Sequence, residues 1–317
     1  MDQLITELRT QIRRKNYSFK TEQSYIGWVK RYLSFSDNLS LDHSATDSIS
    51  DFLNTLANQN VSASTQNQAL CSLVFFFKNT LQKNPGKIKD FKYARTTRNL
   101  PVILSPIEAK RIIAHLSSTK GLIVKLLYGT GLRISECLRL RVQDIDFEFN
   151  QIVVRNGKGN KDRVTIIPQS LISDLKTHLS KVDMLHKMDL KNGYGEVALP
   201  NQLAKKYPNA AAQLRWQYVF PSKKRSVNPR TLTEQRYHQS PQFINRAIAN
   251  AVKNANISKK ISAHTFRHSF ATQLLQNGYD IRTVQELLGH KNLKTTMIYT
   301  HVLNKGGNYI KSPLDVL

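Results

Sequence analysis

The sequence is poor in cysteine and in acidic residues. Its 317 residues include 2 Cys, and 22 Asp and Glu stand against 47 Lys and Arg. Cys71 and Cys137 both lie in helix-like apolar surroundings, so we expect two small buried side chains and no disulfide framework. The 9 His lack Cys or acidic partners at zinc spacing. We therefore expect neither a metal site nor a cofactor.

Long apolar runs are also missing. No stretch approaches the roughly 18 residues of a membrane span, and the N-terminus has no basic region followed by an apolar one, as a secretory signal would. We expect a cytoplasmic protein without a membrane partner. The scarcity of acidic residues leaves a net charge of +25 and a pI near 10.1. This charge favours a nucleic acid as partner, ahead of an anionic membrane surface or a basic surface kept for solubility.

Hydrophobic periodicity predicts a helical domain over residues 1–85, with one helix capped by Ser50 and another opened by Ser64. Residues 86–100 are basic and lack strong periodicity, which predicts a linker. This linker would either lie along a phosphate backbone or be a solvated connector, and composition favours neither. A second domain over residues 101–317 begins with a capping box, SPIE.

Two β-rich runs interrupt the helical pattern of the second domain, at residues 152–155 and 163–167. The glycine-rich tip between them, residues 156–161, predicts a β-hairpin. From about residue 170 the pattern is again helical, except for an irregular stretch near 188–230.

Phosphodiester transfer without a metal needs a nucleophile, cations for the non-bridging oxygens and a proton donor for the leaving oxygen. Four segments carry such groups: residues 131–136 (GLRISE), 157–159 (GKG), 264–268 (HTFRH), and 288–290 (LGH) followed by Tyr299. Each is weak alone, since a tyrosine in a helix is more often a packing residue and a lysine on a glycine tip is usually just exposed. Their order and joint presence in a basic chain carry the prediction.

Residues 130–136, 157–163, 264–272 and 288–290 and the Tyr299 segment together closely resemble the tyrosine recombinase, or phage integrase, family. The resemblance implies a mainly α fold with a small antiparallel β-sheet (α+β). A helical, SAM-like core-binding domain and a catalytic domain would form a C-shaped clamp on DNA. It also implies strand transfer without metal, ATP or a small-molecule cofactor.

By resemblance, six residues are catalytic. They are the phosphate-clamping Arg133 and Arg267, the general acid Lys158, the general base or phosphate ligand His264, the phosphate hydrogen-bond donor His290, and the nucleophile Tyr299. Tyr299 would form a 3′-phosphotyrosyl intermediate, which conserves the energy of the phosphodiester bond. Glu136 would tie the helix of Arg133 in place.

An insertion at about residues 184–221 looks like the extra segment of integron integrases, and the tail after Tyr299 is similar to theirs. This resemblance implies recombination of gene cassettes at attI duplexes and folded single-stranded attC hairpins, by a homotetramer through a Holliday junction. The expected DNA-binding residues are Lys205, Lys206, Pro208, Arg215 and Trp216. Alternatively, Trp216, Tyr218 and Phe220 anchor the insertion to the core. Leu214 departs from the pattern, because a second Trp is expected there.

Several alternatives remain open from the sequence. The same chemistry serves a recombinase that resolves chromosome dimers at duplex sites, although the insertion argues against it, and similar residues serve a type IB topoisomerase. A DNA-packaging or regulatory protein with an inert catalytic set would bind DNA without forming an adduct. An apolar tail either docks on a neighbouring protomer or folds back; its residues are Ile310, Leu314, Val316 and Leu317. We expect the enzyme in the bacterial cytoplasm, at the nucleoid during recombination.

Overall fold

The structure, a computed structural model, describes residues 2–36, 45–85, 100–155, 162–199, 203–229 and 231–300, and of residues 204 and 205 only the backbone. The chain divides into two compact units, Met1–Asn99 and Leu100–Leu317. Both are mainly helical, and the second also carries small antiparallel sheets, which confirms the predicted fold class. The predicted hairpin tip, the apolar tail and all of the linker except Leu100 lie outside the described residues. No described helix is long and apolar enough to cross a membrane.

In its described residues, 2–36 and 45–85, the first unit has four α-helices whose apolar faces share one core. In the first helix, Ile5, Leu8 and Ile12 are buried at helical spacing. The buried carboxylate of Glu22 accepts two hydrogen bonds from Arg13, at 3.0 and 3.2 Å, and so ties the first helix to the second. The elements are α1 Asp2–Arg14, α2 Phe19–Ser36, α3 Ala45–Asn58, α4 Ala63–Phe75 and a π-helical turn Phe76–Thr80.

The second unit packs its helices around a separate core, with α6 and α11 in central contact. Its first helix begins as predicted, with Ser105 and Glu108 in a capping box and Pro106 in the first turn. The helices are α5 Pro106–Ala114, α6 Ser118–Thr130, α7 Ile134–Arg139, α8 Ile172–Lys191, α9 Leu203–Lys206, α10 Pro241–Asn254, α11 Ala263–Gln276 and α12 Ile281–Leu288. Short 3-10 turns lie at Val142–Asp144, Gln169–Leu171, Pro208–Ala212, Leu214–Trp216, Leu293–Thr295 and Met297–Tyr299.

A three-stranded antiparallel sheet, ordered β1-β2-β3, lies beside these helices. Its strands are β1 Ile145–Asp146, β2 Gln151–Val154 and β3 Arg163–Ile166, and Val154 pairs with Arg163 at the end nearest the hairpin tip. In β3 the polar residues Arg163 and Thr165 face inward, while Val164 and Ile166 are each 48% exposed. A two-stranded sheet, β4 Ser226–Val227 with β5 Glu234–Gln235, follows later.

The insertion is tied to the core by buried polar contacts. Arg141 stacks its guanidinium 3.7 Å from the ring centroid of Tyr218 and donates to the backbone carbonyls of Trp216 and Ala198, at 2.7 and 2.9 Å. Asp189, at the end of α8, pairs with Arg225 and Arg236. The described residues of the insertion are therefore held by contacts with the rest of the unit, although they include few regular elements.

Four local predictions differ from the structure. Ser50 does not cap a helix; it lies inside α3, where its hydroxyl donates to the Thr46 carbonyl. The cap of α4 is Ser62 rather than Ser64, because the Ser62 side chain accepts from the Thr65 N–H. The irregular stretch expected from near residue 188 begins later, because residues 188–191 are still helical, at the end of α8. Cys71 is exposed, because it lies on the outer face of α4, whereas Cys137 is buried as predicted.

Candidate active site

The centre of the site is the buried carboxylate of Glu136. Its oxygens accept hydrogen bonds from the Arg133 backbone at 2.9 Å, from Arg133 Nη1 at 2.6 Å, and from Arg163 Nη2 and Nη1 at 2.7 and 3.1 Å. Arg267 Nη1 lies 3.7 Å away. Burial opposes ionisation, but the arginine hydrogen bonds and charges outweigh it and lower the pKa of Glu136 to about 2. An ionised carboxylate therefore holds three guanidinium groups together.

Arg133 is positioned by the turn between α6 and α7. Gly131 ends α6 with a φ of +66°, and a Cβ there would overlap the Phe270 ring, so glycine is required. Arg133 then caps α7, with its side chain 19% exposed. Fixed by Glu136 on one side and open to solvent on the other, this guanidinium can meet an incoming anion.

Arg267 is almost fully enclosed. It donates to the carbonyls of Gly131 and Leu288, both at 2.6 Å, and to His290 Nε2 at 3.0 Å. Burial is the main reason that its pKa falls, to about 9, and the guanidinium still carries its charge at neutral pH. Arg267 thus joins the end of α6 to the end of α12 and places a second fixed cation beside Arg133.

His290 follows Gly289, which ends α12 with a φ of +63°. Arg267 can only donate, so His290 Nε2 accepts, and Nδ1 carries the proton toward Thr296 Oγ1 at 2.9 Å. In this arrangement Nε2 does not donate. The hydrogen bond from His290 to a phosphate stays a prediction for the DNA-bound state.

Tyr299 ends the 3-10 turn Met297–Tyr299, and its side chain is 1% exposed. The hydroxyl lies 2.8 Å from His268 Nδ1, and the ring stacks at 6.4 Å on that of His290. Burial raises the pKa of the Tyr299 phenol, while the charges of Arg267 and Arg133 lower it. The phenol is therefore protonated at neutral pH, within electrostatic reach of both arginines.

His264 opens α11 and is exposed, beside Arg267 and Arg133. Partial burial, followed by these two positive charges, lowers the pKa of His264, so its imidazole is neutral at neutral pH. The structure thus brings five predicted catalytic residues into one cluster. The sixth, Lys158, lies outside the described residues.

The predicted DNA-binding residues of the insertion are spread over its surface. Lys206, Pro208 and Arg215 are exposed, and the Lys206 ammonium lies 5.4 Å from the centroid of the Tyr207 ring. The side chain of Lys205 lies outside the described residues. Trp216 is half-buried, and among the described residues its indole N–H has no hydrogen-bond partner.

The aromatic residues of the insertion divide between its two predicted roles. Tyr218 and Phe220 are 5% and 0% exposed and pack in the core, as the anchoring alternative states. Trp216 instead lines a cleft of about 180 Å³ with Arg139, Arg155 and Tyr218.

Two further residues of the site, Arg163 and His268, were given no role from the sequence. Arg163 binds Glu136 and also donates to the Leu287 carbonyl at 2.9 Å, and His268 contacts the Tyr299 hydroxyl. Strand alternation could have indicated Arg163, since it shares the inward face of β3 with Thr165. The spacing of His264 and His268, one helical turn apart, could have indicated His268.

The cluster can bind and polarise a tetrahedral anion next to a hydroxyl nucleophile. Among the described residues, no group of three or more His, Cys, Asp or Glu could hold a metal ion. Arg133 and Arg267 provide positive charge, and the Tyr299 hydroxyl is an oxygen of the kind that can act as a nucleophile, with a histidine at hydrogen-bond distance.

Comparison with known sequences identifies the family. A sequence model of the phage integrase family matches residues 103–305, and a model of the phage integrase N-terminal SAM-like domain matches residues 4–86. The chain belongs to the phage integrase family. Members of this family, the tyrosine recombinases, are DNA strand-exchange enzymes that in general need neither a metal ion nor ATP, and this chain is such an enzyme.

Relatives within the phage integrase family span nearly the whole chain. An integrase/recombinase of Escherichia coli is 44% identical, covering 99% of this chain and 94% of its own. Tyrosine recombinase XerA of Thermococcus kodakarensis is 31% identical, covering 95% and 91%. The site-specific recombinase XerH, bound to a palindromic difH substrate, is 22% identical with a TM-score of 0.62, covering 91% and 78%, and shows the shared fold.

Proposed function

We propose that this tyrosine recombinase is an integron integrase, which integrates and excises gene cassettes at attI duplexes and folded single-stranded attC sites. The observation that carries the catalytic part is the Tyr299 hydroxyl beside the arginine pair on Glu136. The insertion at residues 184–221 carries the hairpin-specific part.

In the proposed cleavage step, Arg133 and Arg267 bind the non-bridging oxygens of the scissile phosphate, with His264 and His290 beside them. The Tyr299 phenol gives its proton to His264, the general base of this proposal, as its oxygen attacks phosphorus; the 5′ oxygen leaves and takes a proton from Lys158. The product is a 3′-phosphotyrosyl bond and a free 5′ hydroxyl. Attack by the 5′ hydroxyl of a partner strand reverses these bond changes and forms a Holliday junction without ATP.

Recognition of a folded strand is supported by the surface of the insertion. Lys206, Tyr207 and Pro208 form an exposed run, with Tyr207 48% exposed, and Arg215 is exposed nearby in sequence. An aromatic face beside cations suits an unstacked base and its phosphate. Trp216, in its arginine-lined cleft, offers a second such face. Lys205 belongs to the same proposal through its place in the sequence.

Four protomers would act on two DNA sites, as the family resemblance implies, with the segment after Tyr299 docking on a neighbour. This activity would take place in the bacterial cytoplasm, at the nucleoid, because its substrate is chromosomal and plasmid DNA.

Covalent trapping tests this proposal. The protein is mixed with three labelled substrates: a folded attC bottom strand, a folded top strand and a linear duplex. Each carries a bridging phosphorothiolate at the cleavage point, and Tyr299→Phe is the control. We expect a denaturant-resistant adduct on the folded bottom strand that is absent in the variant. An adduct on duplex alone would contradict the hairpin specificity, and binding without any adduct would favour an inert DNA-binding protein.

A further inference from the structure

The hydroxyl of Tyr299 has one hydrogen-bond partner among the described residues, His268 Nδ1 at 2.8 Å. Tyr299 packs in a small apolar cluster with Phe270, Val284 and Leu288, and its side chain is 1% exposed. A buried hydroxyl needs such a partner, since leaving it unpaired costs free energy. His268 is therefore part of what holds the nucleophile in place.

The protonation states of the two groups allow the Tyr299 phenol to donate this hydrogen bond. Burial, then repulsion from His264 when that imidazole is protonated and the positive charge of Arg267, lower the pKa of His268 to about 4, so the imidazole is neutral at neutral pH. Burial keeps the Tyr299 phenol protonated. With a neutral imidazole, the phenol can donate its proton to Nδ1 while Nε2 carries the ring proton.

The other charged and titratable groups around Tyr299 are less suited to receive that proton. His290 stacks on the ring, but both of its nitrogens are engaged, with Arg267 and Thr296. His264 makes no hydrogen bond to the Tyr299 hydroxyl in the described part of the chain. Arg133 and Arg267 are permanent cations and can only donate.

We propose that His268 is a catalytic base, which holds the Tyr299 hydroxyl through Nδ1 and receives its proton during DNA cleavage. The inference rests on the proposed catalytic roles of Tyr299 and Lys158, and it moves the base function from His264 to His268. His264 then remains free to bind the phosphate.

The step balances in atoms and charge. The Tyr299 Oη–phosphorus bond forms as the phosphorus–5′ oxygen bond breaks; the phenolic proton moves to His268 Nδ1, and the Lys158 proton moves to the leaving oxygen. The negative phosphate stabilises the new imidazolium, because a nearby anion favours the charged form of histidine. In rejoining, the attacking 5′ hydroxyl returns its proton to Lys158, and the imidazolium returns its proton to the phenol oxygen as the phosphotyrosyl bond breaks.

The test compares the rates at which His268→Asn and wild type cleave labelled DNA in a single turnover. An Asn side chain can occupy the position of Nδ1 and hydrogen-bond the phenol, but it cannot accept a proton. We expect DNA binding to be retained and cleavage to fall about 100-fold, the usual effect of losing a general base. His115→Asn, the same change at an exposed residue outside the site, is expected to leave the rate unchanged.

A substrate with a 5′-bridging phosphorothiolate distinguishes loss of the general base from loss of the general acid. Its thiolate leaves without a proton, so it is expected to restore cleavage by Lys158→Ala but not by His268→Asn. Replacing Tyr299 with a more acidic fluorotyrosine is expected to accelerate His268→Asn more than wild type, since less help from a base is then needed. A merely structural role for His268 would also leave His268→Asn unrescued by the phosphorothiolate, but it would not produce the greater acceleration by fluorotyrosine.

The outcomes also separate this inference from the proposed function. Wild-type cleavage by His268→Asn, or an equal effect of fluorotyrosine on both proteins, would overturn the base role while Tyr299 remained the nucleophile. Adduct formation by Tyr299→Phe would overturn the proposed function itself. If His268→Asn loses DNA binding, His268→Gln is compared under the same scheme, and the same two results decide.

Discussion

At the scale of single residues, Glu136 does the most to make the site possible. Three guanidinium groups gathered in a partly buried space repel one another, and burial removes the water that would otherwise screen them. The Glu136 carboxylate, 3% exposed, offsets this repulsion by direct pairing with Arg133 and Arg163 and by its charge near Arg267. Removing its charge leaves buried cations without a counter-ion.

We expect Glu136→Gln to destabilise the second unit and to slow cleavage. A fall in pKa from 4.5 to about 2 corresponds to about 3 kcal/mol of unfolding free energy at neutral pH. Because the folded pKa lies below the unfolded one, this stabilisation is present above about pH 4.5 and is lost as the pH falls toward 2. We measure the free energy of unfolding of wild type and Glu136→Gln in urea at pH 7 and at pH 3. The difference between the two proteins should be smaller at pH 3.

Asp174→Asn is the matched control for Glu136→Gln. The Asp174 carboxylate also pairs with a cation, Lys125 at 2.9 Å, but their side chains are 52% and 39% exposed. Exposed pairs contribute roughly 0–1 kcal/mol, so Asp174→Asn should change stability little at either pH. If both substitutions lowered the free energy of unfolding equally, burial of Glu136 would not explain how much this carboxylate contributes to stability.

At the scale of elements, the end of α12 connects the sheet to the site. Gly289 ends this helix in the left-handed region, and a Cβ there would lie 2.7 Å from Arg163 Cδ and 3.1 Å from its Nε. That part of Arg163 cannot shift freely, because Nε donates to the Leu287 carbonyl and the guanidinium binds Glu136. The glycine is thus needed both for its backbone angle and for the space it leaves.

A comparison of Gly289→Ala with Gly278→Ala distinguishes the effect of the backbone angle from the effect of the lost space beside Arg163. Gly278 also has a positive φ, +86°, but a Cβ there would meet nothing within 4 Å. We expect Gly278→Ala to cost about 1–2 kcal/mol from backbone strain alone, and Gly289→Ala to cost more and to slow cleavage by displacing Arg163. Thermal unfolding and trapping assays measure both effects; equal losses of stability and rate would contradict a role for the Arg163 contact.

The same elements show how far sequence reasoning reaches. The capping box at Ser105, the turn at Gly131 and the two hairpin strands were predicted because local spacing determines them. The inward face of β3 was not assigned, since its hydrophobic residues Val164 and Ile166 are the exposed ones. The prediction that Ser50 caps a helix was wrong, because α3 already begins at Ala45.

Within the candidate site, residue identities were predictable and contacts were not. Five of the six predicted catalytic residues cluster, because α6, α12 and the 3-10 turn that contains Tyr299 all pack on α11. The partners Arg163 and His268 were missed, since their contacts join residues far apart in the chain. Local periodicity carries no information on such pairs.

At the scale of the whole molecule, the net charge of +25 dominates encounter with DNA. Each phosphate neutralised by Lys or Arg releases counter-ions, so affinity falls steeply with salt, by roughly 10³–10⁵ between 50 and 200 mM for 6–10 phosphate contacts. This electrostatic part does not distinguish a folded strand from a duplex. Stacking of an unpaired base on an aromatic face depends much less on salt.

The contributions of phosphate contacts and of base stacking to DNA affinity should therefore become distinguishable as the salt concentration is raised. If exposed Tyr207 and half-buried Trp216 stack on unpaired bases, the folded bottom strand keeps more of its affinity than a linear duplex, and its preference over duplex grows between 50 and 200 mM salt. Titrations of both DNAs with Tyr299→Phe, which we expect to bind without cleaving, measure this ratio directly. A ratio that stays constant or falls would mean that charge alone carries the recognition, because no salt-independent contact would then be specific to the folded strand.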